Sequence, residues 1–167
     1  MLAETKKDKT LLFSVDVVLV EPEIPQNTGN IARTCAALGC KLHLIGPLGF
    51  SLTTQRLRRA GVDYWNMVEV ERHPDMETFL KTHTDGVFYF FTQKGLRGYH
   101  EVEFRGRNYF VFGKESTGLP EELIARYPDY CLRIPMRQGM RSLNVSTAAA
   151  LALYEAFRQN RFPDLHI

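Results

Sequence analysis

The sequence predicts an α/β fold, a parallel sheet with helices on both faces. Three observations carry this. Short apolar runs alternate along the chain with segments of helical periodicity. Several runs are apolar throughout, as strands covered on both faces are. Gly and Pro punctuate the boundaries between segments.

The elements follow in order. Val15–Val20 (VDVVLV) is a β-branched run and reads as a buried strand. Asn27 or Thr28 is expected to cap a helix that runs to Leu38, where Gly39 ends it. Lys41–Ile45 is a second strand, closed by Gly46-Pro47. Thr53–Ala60 reads as a short helix ending at Gly61. Met67–Val70 is expected as a strand, and Pro74–Thr82 as a helix with Pro in its first turn. Val87–Thr92 and Tyr109–Phe112 are strongly apolar strands. Pro120–Tyr127 reads as a helix and Cys131–Ile134 as a strand. Asn144–Asn160 is the longest helix, with Ala148, Leu151, Tyr154, Ala156 and Phe157 assigned to its inner face. In such sheets ligands sit at the carboxyl ends of the strands, so the loops that follow strands should carry the chemistry.

Composition bounds the function. The 167 residues suit one domain, and a hydrophobic fraction of 44% with 24% charged residues excludes disorder for the bulk of the chain. Residues 1–14 read as a polar lead-in, 15–160 as the domain and 161–167 as a tail. No apolar stretch approaches the ~18–20 residues of a membrane span, and the N-terminus reads as carrying no secretion signal. Cys35, Cys40 and Cys131 are odd in number without C-x-x-C spacing, so neither disulfide nor zinc is expected and a cytoplasmic setting fits. The net charge of +2 demands no anionic partner, yet 14 of the 21 basic residues are Arg, whose planar fork suits phosphate.

Common catalytic motifs are missing. There is no G-x-G-x-x-G, no H-E-x-x-H and no G-x-S-x-G. Gly113-Lys114-Glu115-Ser116 does not complete a P-loop, because position 108 is Asn. The five His are scattered and read as surface or core residues rather than ligands.

Three strand-to-helix loops remain. The first, Pro22 to Thr34 (PEIPQNTGNIART), leaves backbone N–H groups free at a helix start, with Arg33 one turn in. An ordinary turn with an N-cap explains the same residues. The second, Phe112 to Pro120 (FGKESTGLP), places a carboxylate between two glycines that permit close backbone approach. The third, Ile134 to Ser146 (IPMRQGMRSLNVS), carries Ser142 and Asn144, which are also good helix caps.

Taken in order, P-x-I-P-x-N-T-G-N-I-x-R-T, F-G-x-E-x-x-G-L-P and R-I-P-M…S-x-N-x-S resemble the SPOUT superfamily of S-adenosylmethionine-dependent RNA methyltransferases. They are most like its small TrmL/YibK-like branch, which methylates the ribose 2′-hydroxyl of the tRNA wobble nucleotide. His43 in K-L-H-L-I, the stretch Arg56–Tyr64 and Thr92-Gln93-Lys94-Gly95 share that likeness, which spans about residues 15–160.

The resemblance implies a deep C-terminal trefoil knot, a homodimer and S-adenosylmethionine as the only cofactor, with no metal. It implies transfer to the 2′-oxygen of position 34, C or U, in the tRNA anticodon loop. The alternatives are another RNA position and a non-catalytic RNA-binding protein on the same fold. The implied cofactor residues are Phe91, Gly113, Glu115, Ile134, Met136, Ser142 and Leu143. Arg33 matches the family's catalytic position, with Asn27, Ser142 and Asn144 orienting it or the ribose. Glu115 is expected either to hold the loops together or to face the cofactor's positive end. Arg33, Lys94, Arg137, Arg141 and Tyr154 are the candidates for RNA contact, Tyr154 being equally a core residue.

Overall fold

The structure, a computed structural model, describes residues 12–51 and 64–167. Seven strands form one sheet: β1 (Ser14–Val20), β2 (Leu42–Ile45), β3 (Val70–His73), β4 (Val87–Phe91), β5 (Arg97–Gly98), β6 (Arg107–Gly113) and β7 (Cys131–Arg133). Their order is β3-β2-β1-β6-β4-β7-β5, and every pair is parallel. Four α-helices are described: α1 (Pro25–Leu38), α2 (Met76–Thr82), α3 (Glu121–Arg126) and α4 (Val145–Gln159).

The central strands are largely apolar because both faces are covered. Val15, Val17 and Leu19 of β1 face the same core as Phe110 and Phe112 of β6, under Ile31 and Cys35 of α1 and Ala152, Leu153 and Ala156 of α4. Val18 and Val20, alternating with them, join Tyr109 and Val111 under Phe79 of α2 and Leu123 of α3. The period of two thus sends each strand into two separate cores. The small residues of α4 let it lie close against α1 and the sheet. No helix among the described residues is long and apolar enough to cross a membrane.

Several expectations need correction. Asn27 and Thr28 do not cap α1; they lie inside its first turn, because Pro25 opens the helix and Ile24 is the cap position, without a side-chain bond. Gly39 ends α1 as expected, in the left-handed conformation at φ 70°. The strand expected at Met67–Val70 lies at Val70–His73, preceded by a 3₁₀ turn at Trp65–Met67. Pro74 stands before α2, which Asp75 caps by accepting from the Thr78 N–H at 2.7 Å. On α4, Leu151 and Tyr154 point outward, and Ala149, Ala152 and Leu153 take the inner face with Ala156 and Phe157. The two-residue β5 carries no apolar run and was not anticipated. The helix expected at 53–60 and most of the 1–14 lead-in lie outside the described residues.

Candidate active site

The three loops singled out by sequence meet at the carboxyl ends of β1, β6, β4 and β7. Val20 pairs in register with Gly113, and Phe91 with Leu132, so these strands end side by side. Between them lies a cavity of about 680 Å³. Its size is that of a small-molecule site. Phe91, Phe112, Leu119, Leu132, Ile134 and Leu143 supply apolar wall, and the loops supply backbone and side-chain polar groups.

A chain of hydrogen bonds ties the loops. The Glu115 carboxylate accepts from the backbone N–H groups of Glu23 (2.9 Å) and Ile24 (3.2 Å), and from Asn27 Nδ2 at 3.4 Å. Asn27 Oδ1 in turn accepts from Asn144 Nδ2 at 2.9 Å. Asn144 Oδ1 caps α4 by accepting from the N–H of Ser146 at 2.8 Å and from its hydroxyl at 2.6 Å. Each amide has one role as donor and one as acceptor, so the orientation of both is determined by their neighbours. Glu115 thereby bonds the second loop to the first.

Two pairings in this region escaped the sequence reading. The Glu23 carboxylate accepts from the Ser116 N–H and Oγ, both at 2.9 Å. These bonds stabilise the ionised form and lower its pKa below the usual 4.5. Lys114 forms an ion pair with Glu21, which raises the pKa of the ammonium. Glu21 itself sits at φ 46°, a strained conformation for a residue with a side chain, where the chain leaves β1. Glu23, Lys114 and Ser116 fall in the P-x-I-P and G-K-E-S stretches, but nothing in either stretch shows that one loop faces the other.

Gly113 is required by space. It stands at φ 134°, and a Cβ there would lie 2.3 Å from the Val20 carbonyl oxygen. Gly95 is similarly confined, because a Cβ would approach the Leu132 carbonyl carbon to 2.7 Å. The loop after β4 therefore lies flat on β7, beside the cavity.

Of the expected cofactor residues, Phe91, Gly113, Glu115, Ile134, Met136, Ser142 and Leu143 all line the cavity. Asn27, Asn144, Lys94 and Arg141 do so as well. Arg33 does not. Its guanidinium lies 4.6 Å over the Tyr64 ring, with Nη2 3.2 Å from the Tyr64 hydroxyl, on the exposed side of α1. Arg137 and Tyr154 are exposed and outside the cavity wall. Lys94 forms an exposed ion pair with Glu121, a weak contact.

The His residues are less scattered than their spacing suggests. His43, His73 and His83 converge with Glu71 on the α2 face of the sheet.

Residues 14–154 match the SpoU rRNA Methylase family. A Geobacillus stearothermophilus protein is 49% identical over 156 residues, covering 92% of this chain and 99% of its own length. A Saccharophagus degradans protein named tRNA (cytidine(34)-2′-O)-methyltransferase is 47% identical over 148 residues, 88% of this chain and 96% of its own. A solved structure described as giving insights into the 2-OH methylation of C/U34 on tRNA superposes with a TM-score of 0.83 at 47% identity, covering 89% of this chain and 97% of that one. An AdoMet-bound rRNA methyltransferase from Sinorhizobium meliloti superposes with a TM-score of 0.73 at 26% identity, over 87% of this chain and 56% of that one.

Proposed function

The chain belongs to the SpoU rRNA Methylase family, and within it we propose that it transfers a methyl group from S-adenosylmethionine to the ribose 2′-hydroxyl of the tRNA wobble nucleotide, C34 or U34. The observation that carries the reading is the cavity at the strand ends, closed by three loops that Glu115, Asn27 and Asn144 bond into one wall. The names of the relatives supply the substrate.

The residues present fit S-adenosylmethionine. Apolar side chains such as Phe91, Ile134 and Leu143 suit the faces of a planar heteroaromatic ring, and the loops offer backbone donors and acceptors for its edges and for a ribose. When bound, this group supplies an already electrophilic methyl carbon. The protein's task is then to position the nucleophile and help it lose its proton. A guanidinium holds its proton too firmly to serve as a base. We assign Arg33 to the phosphate beside the reacting ribose, where its charge polarises the 2′-hydroxyl. Asn27, Ser142 and Asn144 hold the ribose side of the cavity. Lys94, Arg137 and Arg141 take the phosphates of the anticodon loop, and Tyr154 the RNA surface.

Arg33 stands outside the cavity wall of its own chain, so the reading includes a homodimer in which Arg33 serves the partner's cavity. Leu151 and Tyr154 are 42% and 49% exposed on the outer face of α4 and give such a contact apolar area. The dimer, the C-terminal knot, the 15–160 domain bounds and a cytoplasmic setting are parts of the proposal.

The test is incubation with S-adenosylmethionine and either unmodified tRNA transcripts or tRNA from cells lacking the gene, followed by mass spectrometry of mapped fragments. A 2′-O-methylated nucleotide 34 is expected. Methylation elsewhere would move the site and keep the chemistry. Cofactor binding without transfer to either pool would refute the wobble assignment, and failure to bind cofactor would favour a non-catalytic RNA-binding protein.

A further inference from the structure

We infer that His43, Glu71, His73 and His83 form a site for one divalent transition-metal ion, zinc by its donor chemistry, separate from the cavity at the strand ends. One donor atom from each residue lies within 4.8 Å of all the others. None of the four residues lines the cavity.

The fold brings them together through strand register. His43 of β2 pairs with Glu71 of β3, so both side chains leave the same face of the sheet. His73, two residues further along β3, returns to that face. His83 follows the last residue of α2, and α2 packs on this face through Phe79. His43 Nδ1 lies 3.0 Å from His73 Nε2 and 3.7 Å from Glu71 Oε2. His73 Nε2 lies 3.8 Å from the same oxygen. Donors bound at ~2.0–2.1 Å around a tetrahedral ion stand about 3.3 Å apart. The three separations bracket that value.

His43 Nδ1 and His73 Nε2 share a hydrogen bond, whose proton an incoming ion would displace. His83 Nδ1 lies 3.1 Å from the Phe79 carbonyl and 3.0 Å from the Thr82 hydroxyl, and when it donates to the carbonyl the Nε2 lone pair is free to bind an ion. On the far side of the His43 ring, Nε2 is buried without a hydrogen-bond partner, 3.6 Å from Asp16 Oδ2. A carboxylate behind the outer nitrogen of an imidazole is the usual arrangement around a metal-bound His. Lys41 holds Glu71 Oε1 at 2.6 Å, leaving Oε2 toward the imidazoles. Among the described residues the other charges nearby include Glu69, which also pairs with Lys41, Arg107, which pairs with Asp16, and Asp85, which accepts from Tyr109. Three imidazoles and one carboxylate suit zinc better than hard cations such as magnesium or calcium.

Such an ion would join edge strand β3, inner strand β2 and the end of α2. Its effect is therefore on stability, and the test reads binding and melting rather than methyl transfer. Tag-free full-length protein, stripped with chelator, is titrated with Co²⁺ and then Zn²⁺. We expect one Co²⁺ per chain, the intense visible absorption of tetrahedral coordination and no thiolate charge-transfer band, since the cluster includes none of the three Cys. Zn²⁺ should displace the Co²⁺ and raise the melting temperature by roughly 5–10 °C at a hundredfold excess over Kd. His73→Gln and His83→Gln, at half-buried positions, should each weaken Zn²⁺ binding at least tenfold, by about the range seen for metal-site changes. Absence of a stoichiometric tetrahedral Co²⁺ spectrum in the wild type would overturn the proposal, and that measurement does not depend on the variants folding. Equal Zn²⁺ affinity in a well-folded double variant would overturn it too, placing the ion elsewhere.

Discussion

Glu115 and Glu23 clamp two loops crosswise: Glu115 accepts from the backbone N–H of Glu23, and Glu23 accepts from the backbone N–H of Ser116. Lys114 favours the ionised form of Glu23 from nearby, yet the bonds of the joint itself run to backbone N–H groups. Each carboxylate completes the backbone of the opposite loop, which is how two irregular segments keep one geometry without forming a strand pair. Glu115→Ala leaves the N–H groups of Glu23 and Ile24 without their acceptor. Cofactor affinity should fall by about 10- to 100-fold, as when a positioned wall loses its support. Calorimetric titration with S-adenosylmethionine checks this, and unchanged affinity would show that the clamp is dispensable.

The same clamp has a pH signature. Hydrogen bonds from Ser116 lower the pKa of Glu23. A lowered folded-state pKa gives stability that is full above the unfolded value and lost as pH falls through the folded one. The difference in melting temperature between wild type and Glu23→Gln should therefore hold steady from pH 8 to about 5 and shrink only in stronger acid. Glu23 is only half-buried and its bonds are open to solvent, so the difference will be small. A difference that vanished between pH 8 and 6 would implicate another group.

Asn144 joins two tasks that substitution can separate. Its oxygen caps α4, and its nitrogen reaches Asn27. Asn144→Ala should cost about 1 kcal/mol of stability through the cap alone. Asn144→Asp keeps a capping oxygen and sets a second acceptor against Asn27 Oδ1. Its melting temperature should stay near wild type while methyl transfer drops by roughly 10-fold or more. Equal loss of stability in both variants would reduce Asn144 to a cap.

The legibility of this molecule follows the range of its interactions. β1, β4 and β6 are each dominated by an apolar run, and sequence places them within one or two residues. The start of α1 was misjudged because Asn27 and Thr28 are strong capping residues, yet Pro25 two positions earlier already satisfies the first helical turn. β3 was misplaced because Val70–His73 is a polar edge strand, held by pairing to β2 rather than by its own hydrophobicity. The cavity wall was legible through resemblance, since its residues fall in three motifs. The clamp of Glu23 on Ser116 spans 93 positions, and the His43–His73 contact spans 30. Only the strand order and the parallel register of β2 and β3 bring such residues together, and neither is written in local pattern.

Gly113 and Gly118 both have positive φ, but they predict different costs. A Cβ at Gly118 meets nothing within 4 Å, so Gly118→Ala should cost only the ~1–2 kcal/mol of left-handed backbone. A Cβ at Gly113 meets the backbone of Val20 at 2.3 Å, and neither strand can yield without breaking the β1–β6 ladder. Gly113→Ala should cost about 3 kcal/mol or more. Denaturant titration of the two variants decides it, and comparable midpoints would show that the β1–β6 joint has slack.

The position of Arg33 makes the last prediction. It lies over Tyr64 and away from the cavity of its own chain, whereas Glu115 belongs to that cavity's wall. If Arg33 serves the partner's cavity, Arg33→Ala should abolish methyl transfer and leave cofactor affinity largely intact. Co-expressed Arg33→Ala and Glu115→Ala chains should then complement each other. A mixed dimer keeps one intact cavity faced by one intact Arg33, so random pairing restores roughly a quarter of wild-type activity. If Arg33 acts on its own chain's cavity, each chain of the mixed dimer lacks one essential part, and activity stays at the level of the weaker single variants. Purifying the mixed dimer through two different tags and assaying it on tRNA separates the two arrangements. Tyr64→Phe in the same assay should retain most activity, because the ring beneath the guanidinium remains and only the 3.2 Å contact to the hydroxyl is lost.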